Sequence, residues 1–220
     1  MASFACAGAP LPASASEPVV LGGVVSTTGS GGTTNVASAT VSAFRTGNST
    51  ALVSGTSTAS GAYSLSIPTG NLPVDGYLAA TKASYLDTYV YPSEPAAKDG
   101  NLDVSMLTSS TFGFLQTFAG VSQNAAKGVV IVQVVDCNDA PIAGATVSST
   151  PGGTVRYLSG GTPSSSATST DADGVAFIFN VGPGDVAIAA SATGGSFRSH
   201  TVNARASSAI TATRIAPGPH

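Results

Sequence analysis

The chain has 220 residues, enough for one large domain or two of about 100 residues each. Only 9% of them are charged and the net charge is -3, against roughly 25% charged in an ordinary soluble domain. The eight basic residues are scattered, which excludes the clustered Lys/Arg with aromatics of a nucleic-acid groove, and no apolar run reaches the ~20 residues of a membrane span. Gly, Ser, Thr and Ala occupy positions where Lys and Glu usually sit, and with abundant Val this favours strands over long helices.

Residues 1–18 predict an extended N-terminal arm. Met1-Ala-Ser-Phe-Ala-Cys6 has no basic start and too short an apolar stretch for an intact signal peptide. Ala7 to Pro18 is rich in Ala, Pro and Ser without periodicity. The composition favours an exported protein whose signal is absent from this chain.

A first domain is expected over 19–107. Val19 to Val25 reads as a strand and Thr27 to Thr34 as a Gly-rich loop. Ala39 to Phe44 and Ala62 to Ile67 alternate apolar and polar, as half-buried strands do. Tyr77 to Lys82, Tyr85 to Val90 and Leu102 to Met106 complete the sheet pattern. A helical linker follows over 108–126. Thr108-Ser-Ser suits an N-cap, Phe112, Leu115, Phe118 and Ala119 fall at helical spacing, and Gly120 suits a stop.

The second domain is expected over 127–216, with a tail at 217–220. Its first strand, Val129 to Val135, is nearly continuous Val and Ile, as expected of a central strand. The turn Asp136 to Pro141, the turn Thr170-Asp-Ala-Asp-Gly174 with the strand Val175 to Phe179, and strands at Phe197 to Val202 and Ser208 to Ile215 follow. The order of strand, turn and strand repeats that of the first half. Thr58-Ala-Ser-Gly-Ala-Tyr matches Thr170-Asp-Ala-Asp-Gly-Val, setting Ala59 against Asp171, and Gly144 has no glycine counterpart beside Ala39.

The segments Pro141-Ile-Ala-Gly-Ala-Thr-Val147, Thr170-Asp-Ala-Asp-Gly-Val-Ala-Phe177 and Gly182-Pro-Gly-Asp-Val-Ala-Ile188 carry a family likeness. They resemble the carboxypeptidase regulatory-like domain of the transthyretin-like and Cna-B-like group, clearly in the second half and more loosely in the first. The resemblance implies an all-β protein of two tandem Ig-like, transthyretin-like antiparallel β-sandwiches joined by a short helix, without enzyme activity of its own. Gly144 and Gly174 sit where a turn or bulge needs positive φ. Cna-B-like relatives carry internal Lys–Asn isopeptide bonds. The resemblance therefore makes Lys127 and Asn203 a candidate pair, with Asp173 or Asp185 as the acid, beside the plainer reading of Lys127 as a solvated charge.

Residue by residue, the sequence offers little chemistry. There is no Gly-x-Ser-x-Gly elbow, His200 is the one histidine outside the tail, no zinc spacing occurs, and two glutamates, Glu17 and Glu94, exclude most paired-carboxylate arrangements. Asp171 and Asp173 are weak candidate Ca²⁺ ligands, with a hairpin turn as the plainer reading. Asn48-Ser-Thr50 is one N-glycosylation acceptor. Cys6 and Cys137 leave three readings open: a disulfide between arm and second domain, a lipidated Cys6, or two unpaired thiols. No catalytic residue and no cofactor is expected.

These features describe a non-catalytic structural or interaction module of an extracellular or cell-surface bacterial protein. Its partners would be other surface proteins, polysaccharide or copies of itself. Two alternatives stand beside it. One is a carbohydrate- or polymer-binding accessory module using Tyr85, Tyr89 and Tyr91 as a platform. The other is a filament subunit whose N-terminal arm adds a strand to a neighbour's sheet.

Overall fold

The structure is a computed structural model and describes residues 4, 12–29, 31–206 and 209–218. Among the described residues the chain forms seventeen strands and one helix. It divides into two compact units, Leu11–Thr111 and Phe112–His220, the latter taking in Met1–Pro10.

The first unit contains β1 (Val19–Gly29), β2 (Gly32–Asn35), β3 (Thr40–Arg45), β4 (Ala51–Thr56), β5 (Ala62–Ile67), β6 (Gly76–Thr81), β7 (Thr88–Tyr91), β8 (Gly100–Asn101) and β9 (Val104–Met106). In one sheet β1 pairs antiparallel with β2 and β5 and parallel with β8 and β9. The other sheet runs β4-β3-β6-β7, antiparallel throughout. Alternation builds the core. Tyr63, Leu65 and Ile67 of β5 are buried while Ser64 and Ser66 are exposed, and Val41 and Ala43 of β3 are buried.

Three expectations change here. The stretch from Thr27 to Thr34 is a hairpin, with Thr27 opposite Thr34 and Thr28 opposite Thr33. Its threonines are good strand formers, and Gly32 takes the positive φ of +99° that the reversal requires. The strand expected from Tyr85 starts only at Thr88, and Tyr85 makes an isolated bridge to Thr108. β4 was not anticipated at all, because Ala51 to Thr56 lacks a clean alternation.

Of the helix α1 (Ser109–Ala119), Phe112 onward belongs to the second unit. Thr108 caps it: its Oγ1 accepts the N–H of Thr111 at 3.1 Å. Gly120, at φ +61°, ends it, and Val121 N–H closes on Gln116 C=O at 3.1 Å.

The second unit's strands are β10 (Gly128–Val134), β11 (Thr146–Thr150), β12 (Thr154–Ser159), β13 (Thr162–Ser164), β14 (Val175–Val181), β15 (Gly184–Ser191), β16 (His200–Ala204) and β17 (Ile210–Ile215). One sheet runs β13-β12-β14-β10-β17, and the other β11-β15-β16. β10 is interior to its sheet, as its nearly continuous apolar run predicts. β14 is buried on both faces. Phe112 of α1 stacks on Phe179 at 6.2 Å, and Phe179 stacks on Phe177 at 5.8 Å. That burial explains why Val-Ala-Phe-Ile-Phe shows no alternation.

The mostly β, sandwich architecture agrees with expectation. The pairing is mostly antiparallel, with parallel pairs at one place in each unit. β10 runs parallel to β17 over six register pairs, just as β1 runs parallel to β8 and β9. In each unit the first strand therefore lies beside the last strand of the unit, running in the same direction.

Candidate functional site

The most specific polar geometry lies at two buried turns. In the second unit Thr170 is 4% exposed. Its Oγ1 accepts the N–H of Ala145 at 2.9 Å and donates to the C=O of Ile142 at 2.6 Å. Gly144 N–H donates to Thr170 C=O at 2.8 Å, and Thr170 N–H donates to Ala145 C=O at 2.9 Å. One hydroxyl thus satisfies two buried backbone groups that would otherwise lack partners. Below it, Gly174 N–H closes a turn on Asp171 C=O at 3.0 Å, and Gly174 C=O accepts Val134 N–H at 2.8 Å.

The first unit repeats this arrangement with other residues. Ser57 Oγ accepts Ala39 N–H at 2.9 Å and donates to Val36 C=O at 2.7 Å. Ser38 N–H donates to Ser57 C=O, Ser57 N–H to Ala39 C=O, Gly61 N–H to Thr58 C=O and Val25 N–H to Gly61 C=O. This corrects the register read from sequence. Ser57, not Thr58, corresponds to Thr170, and Thr58, not Ala59, corresponds to Asp171. Ser38, at φ +53°, takes the place of Gly144, at φ +79°.

The candidate residues fall as follows. Asp171 Oδ1 accepts Asp173 N–H at 3.1 Å, so the pair builds a hairpin turn. Among the described residues no three His, Cys, Asp or Glu side chains gather as a metal group. Asn203 donates its side-chain amide to Asp185 at 2.9 Å across β15 and β16. Lys127 is exposed just before β10. His200 Nδ1 lies 2.8 Å from the hydroxyl of buried Thr213. Asn48 is exposed in the β3–β4 loop, and its Oδ1 accepts Thr50 N–H at 2.9 Å. Cys137 is disulfide-bonded, whereas Cys6 lies outside the described residues.

Of the three tyrosines expected to form a platform, Tyr91 is buried and Tyr85 and Tyr89 are half-buried. Tyr91 and Tyr77 are buried, and Tyr77 stacks between Phe44 at 5.1 Å and Tyr91 at 5.0 Å. The apolar cleft beside this row, lined by Leu21, Phe44, Leu52, Ile67 and Tyr77 among others, holds about 20 Å³. That is room for about one water molecule, which needs roughly 10–15 Å³ by the same measure.

Residues 12–18 of the arm lie on their own unit. Ala15 N–H donates to Asn71 C=O at 3.0 Å, and Ser16 N–H to Ala97 C=O at 2.9 Å. Glu17 Oε2 accepts the Thr69 hydroxyl at 2.7 Å, the Thr69 N–H at 2.8 Å, the Asn71 N–H at 3.3 Å and the Gly70 N–H. The Thr69 hydroxyl foremost, then these backbone N–H groups, holds the Glu17 carboxyl below its ordinary range. Sequence reading missed this nest, since three of its donors are backbone N–H groups and the fourth, the Thr69 hydroxyl, is 52 residues away in the chain. Residues 7–11 lie outside the described residues.

On α1 the expected apolar stripe is only partly covered. Phe112 and Ala119 are buried, while Phe114 is 67% and Phe118 57% exposed. Phe118 was expected inside. Arg156 explains part of the difference: its Nε donates to Ala119 C=O at 2.8 Å and fixes the helix end by that edge.

No protein-family model and no curated protein matches the chain. Among solved structures it is similar to the shaft pilin spaA of Lactobacillus rhamnosus GG, at 9% identity and a TM-score of 0.29, covering 91% of this chain and 98% of that one. A minor pilin of Streptococcus agalactiae is similar at 15% identity and a TM-score of 0.30, covering 91% and 95%. The Bacillus anthracis TIE protein is similar at 12% identity and a TM-score of 0.29, and the chain spans 34% of its length. Likeness at this level carries no argument about function, which rests on the chain's own geometry. No helix among the described residues is long and apolar enough to cross a membrane.

Proposed function

We propose that the chain is a non-catalytic structural module of an extracellular or cell-surface protein, made of two copies of one sandwich plan over 19–107 and 127–216. The recurrence of the buried hydroxyl clamp carries this reading. The clamp and corner residues, Ser57, Gly61, Thr170 and Gly174, all hold backbone, in both units. A weakly charged, hydroxyl-rich surface and a disulfide-bonded Cys137 fit an oxidising, exported setting. The carboxypeptidase regulatory-like resemblance points the same way. The test is an activity panel of peptide, ester and glycoside substrates. No turnover is expected from wild type, and turnover abolished by His200→Ala would overturn the reading.

A second reading, a subunit of an extracellular filament formed with copies of itself, is favoured by the exposed Phe114 and Phe118. They stand one turn apart on a helix that carries no charged residue. Sedimentation velocity at rising concentration tests it against Phe114→Ser/Phe118→Ser. Association by wild type that the double variant loses supports it. The polysaccharide-binding alternative is less favoured, because Tyr91 of its platform is buried.

A further inference from the structure

The second unit gathers distant parts of the chain at one pole. Phe4 sets its ring edge-on to Phe197, with centroids 5.8 Å apart and planes at 79°. Gly195 makes the room, since a Cβ there would lie 2.6 Å from the Phe4 ring. Phe197 is bridged to Pro217, and Arg198 N–H donates to Ala216 C=O at 3.3 Å. Val135 N–H donates to Ile215 C=O at 3.0 Å, just past the final β10–β17 register pair, Val134 with Ile215. Two residues beyond Val135, Cys137 is disulfide-bonded, and Cys6 is the one other cysteine of the sequence.

We propose that a Cys6–Cys137 bridge makes this pole a force staple. A load entering ahead of Cys6 and leaving beyond Ile215 crosses the bridge and leaves the first unit unstretched. The reason is topological. The bridge closes a loop of roughly 130 residues, which contains Leu11–Thr111 and β10, and a covalently closed loop cannot be drawn out along the load.

The bridge also changes how the second unit is pulled. With it, the load enters near Val135 and leaves near Ile215, at the same end of a parallel strand pair. The pull acts across the strands and opens the pairs one after another from Val134–Ile215. Without it, the load enters β10 at Gly128 and leaves β17 at Ile215, at opposite ends of that pair. All six register pairs then resist together in shear. The first unit is loaded in the same way, entering β1 at Val19 and leaving β9 at Met106. The bridge thus trades a strong, long path for a weak, short one and spares the first unit from tension.

Single-molecule stretching of the full chain, held by its two ends, tests the staple. The oxidised protein should release roughly 80 residues, on the order of 300 Å, and should begin at low force. Reductant, or Cys137→Ser, should add on the order of 450 Å and move the first rupture to higher force. Equal extension and equal force in the oxidised protein and Cys137→Ser would overturn the proposal. Thiol labelling of unreduced, denatured protein tests the bridge by itself. No label is expected. Labels on both cysteines, or a disulfide-linked dimer, would remove the premise. A fully bridged protein that still ruptures at the force of Cys137→Ser would remove the routing while leaving the bridge.

Discussion

The two units solve one problem with different residues. Each must turn the chain into the strand that follows the clamp (β3 or β11) while burying backbone groups, and each does so around a single hydroxyl. The second unit uses Thr170 with Gly144; the first uses Ser57 with Ser38. Glycine reaches positive φ freely, whereas serine there bears strain. The first unit tolerates it because Ser38 N–H is fastened to Ser57 C=O at 2.8 Å. At the other corner neither unit departs from glycine. A Cβ on Gly61 would meet Val25 O at 2.5 Å, and one on Gly174 would meet Val134 O at 2.6 Å. What is kept between the units is therefore the backbone contact that excludes a side chain. What drifts is the position with open space around it, since nothing lies within 4 Å of a Cβ on Gly144.

The largest effects should come from the excluded side chains. Gly61→Ala and Gly174→Ala should each cost about 2–4 kcal/mol, because positive φ and a backbone clash add. Chemical denaturation followed by circular dichroism measures this. A loss in one variant and none in the other would break the equivalence of the two corners. Next come the hydroxyls. Ser57→Ala and Thr170→Val should each cost about 1–3 kcal/mol by orphaning a buried N–H and C=O, while Thr170→Ser stays near wild type. A smaller effect sharpens the contrast at the drifting position. Ser38→Gly should stabilise by about 0.5–1 kcal/mol and Gly144→Ser should destabilise by about 1 kcal/mol, read as shifts in midpoint.

The smallest effect concerns the arm. The first unit offers Thr69, Gly70 and Asn71 N–H groups to Glu17, while the segment after β14 reads Gly182-Pro183-Gly184 and Pro183 has no N–H to give. A carboxyl held below its ordinary range contributes its anchoring above the usual glutamate pKa and loses it as the pH falls through the lowered value. Proteolysis at residues 12–18 should therefore rise on acidification below about pH 4. Glu17→Gln should show that susceptibility already at neutral pH. Equal protection of wild type and variant at both pH values would remove the nest as the anchor.

Much of the fold was legible in the residues. The alternation of Tyr63-Ser-Leu-Ser-Ile67 and the apolar run Val129 to Val135 announce strands because burial on one or both faces writes itself into side-chain polarity. Gly174 and Gly144 announce positive φ because other residues bear strain there. Thr108 and Gly120 bracket the helix for the same local reasons. All of these are properties of a few neighbouring residues, so the sequence by itself determined them.

Contacts between distant segments were not legible. That Ser57 rather than Thr58 fills the clamp depends on register, and one residue's slip exchanges the faces of a strand. The parallel pairing of β1 with β9 and of β10 with β17 leaves no mark in polarity, because a strand buries the same side chains whichever way its neighbour runs. β4 was invisible because none of its residues is buried: Ala51, Leu52, Val53 and Gly55 are half-covered and Ser54 and Thr56 exposed. The nest around Glu17 was invisible because its backbone donors have no residue letter and its side-chain donor, Thr69, is distant in the chain. Only the tertiary structure decided these, since each depends on two chain segments meeting in one register, and residue composition within either segment is indifferent to that choice.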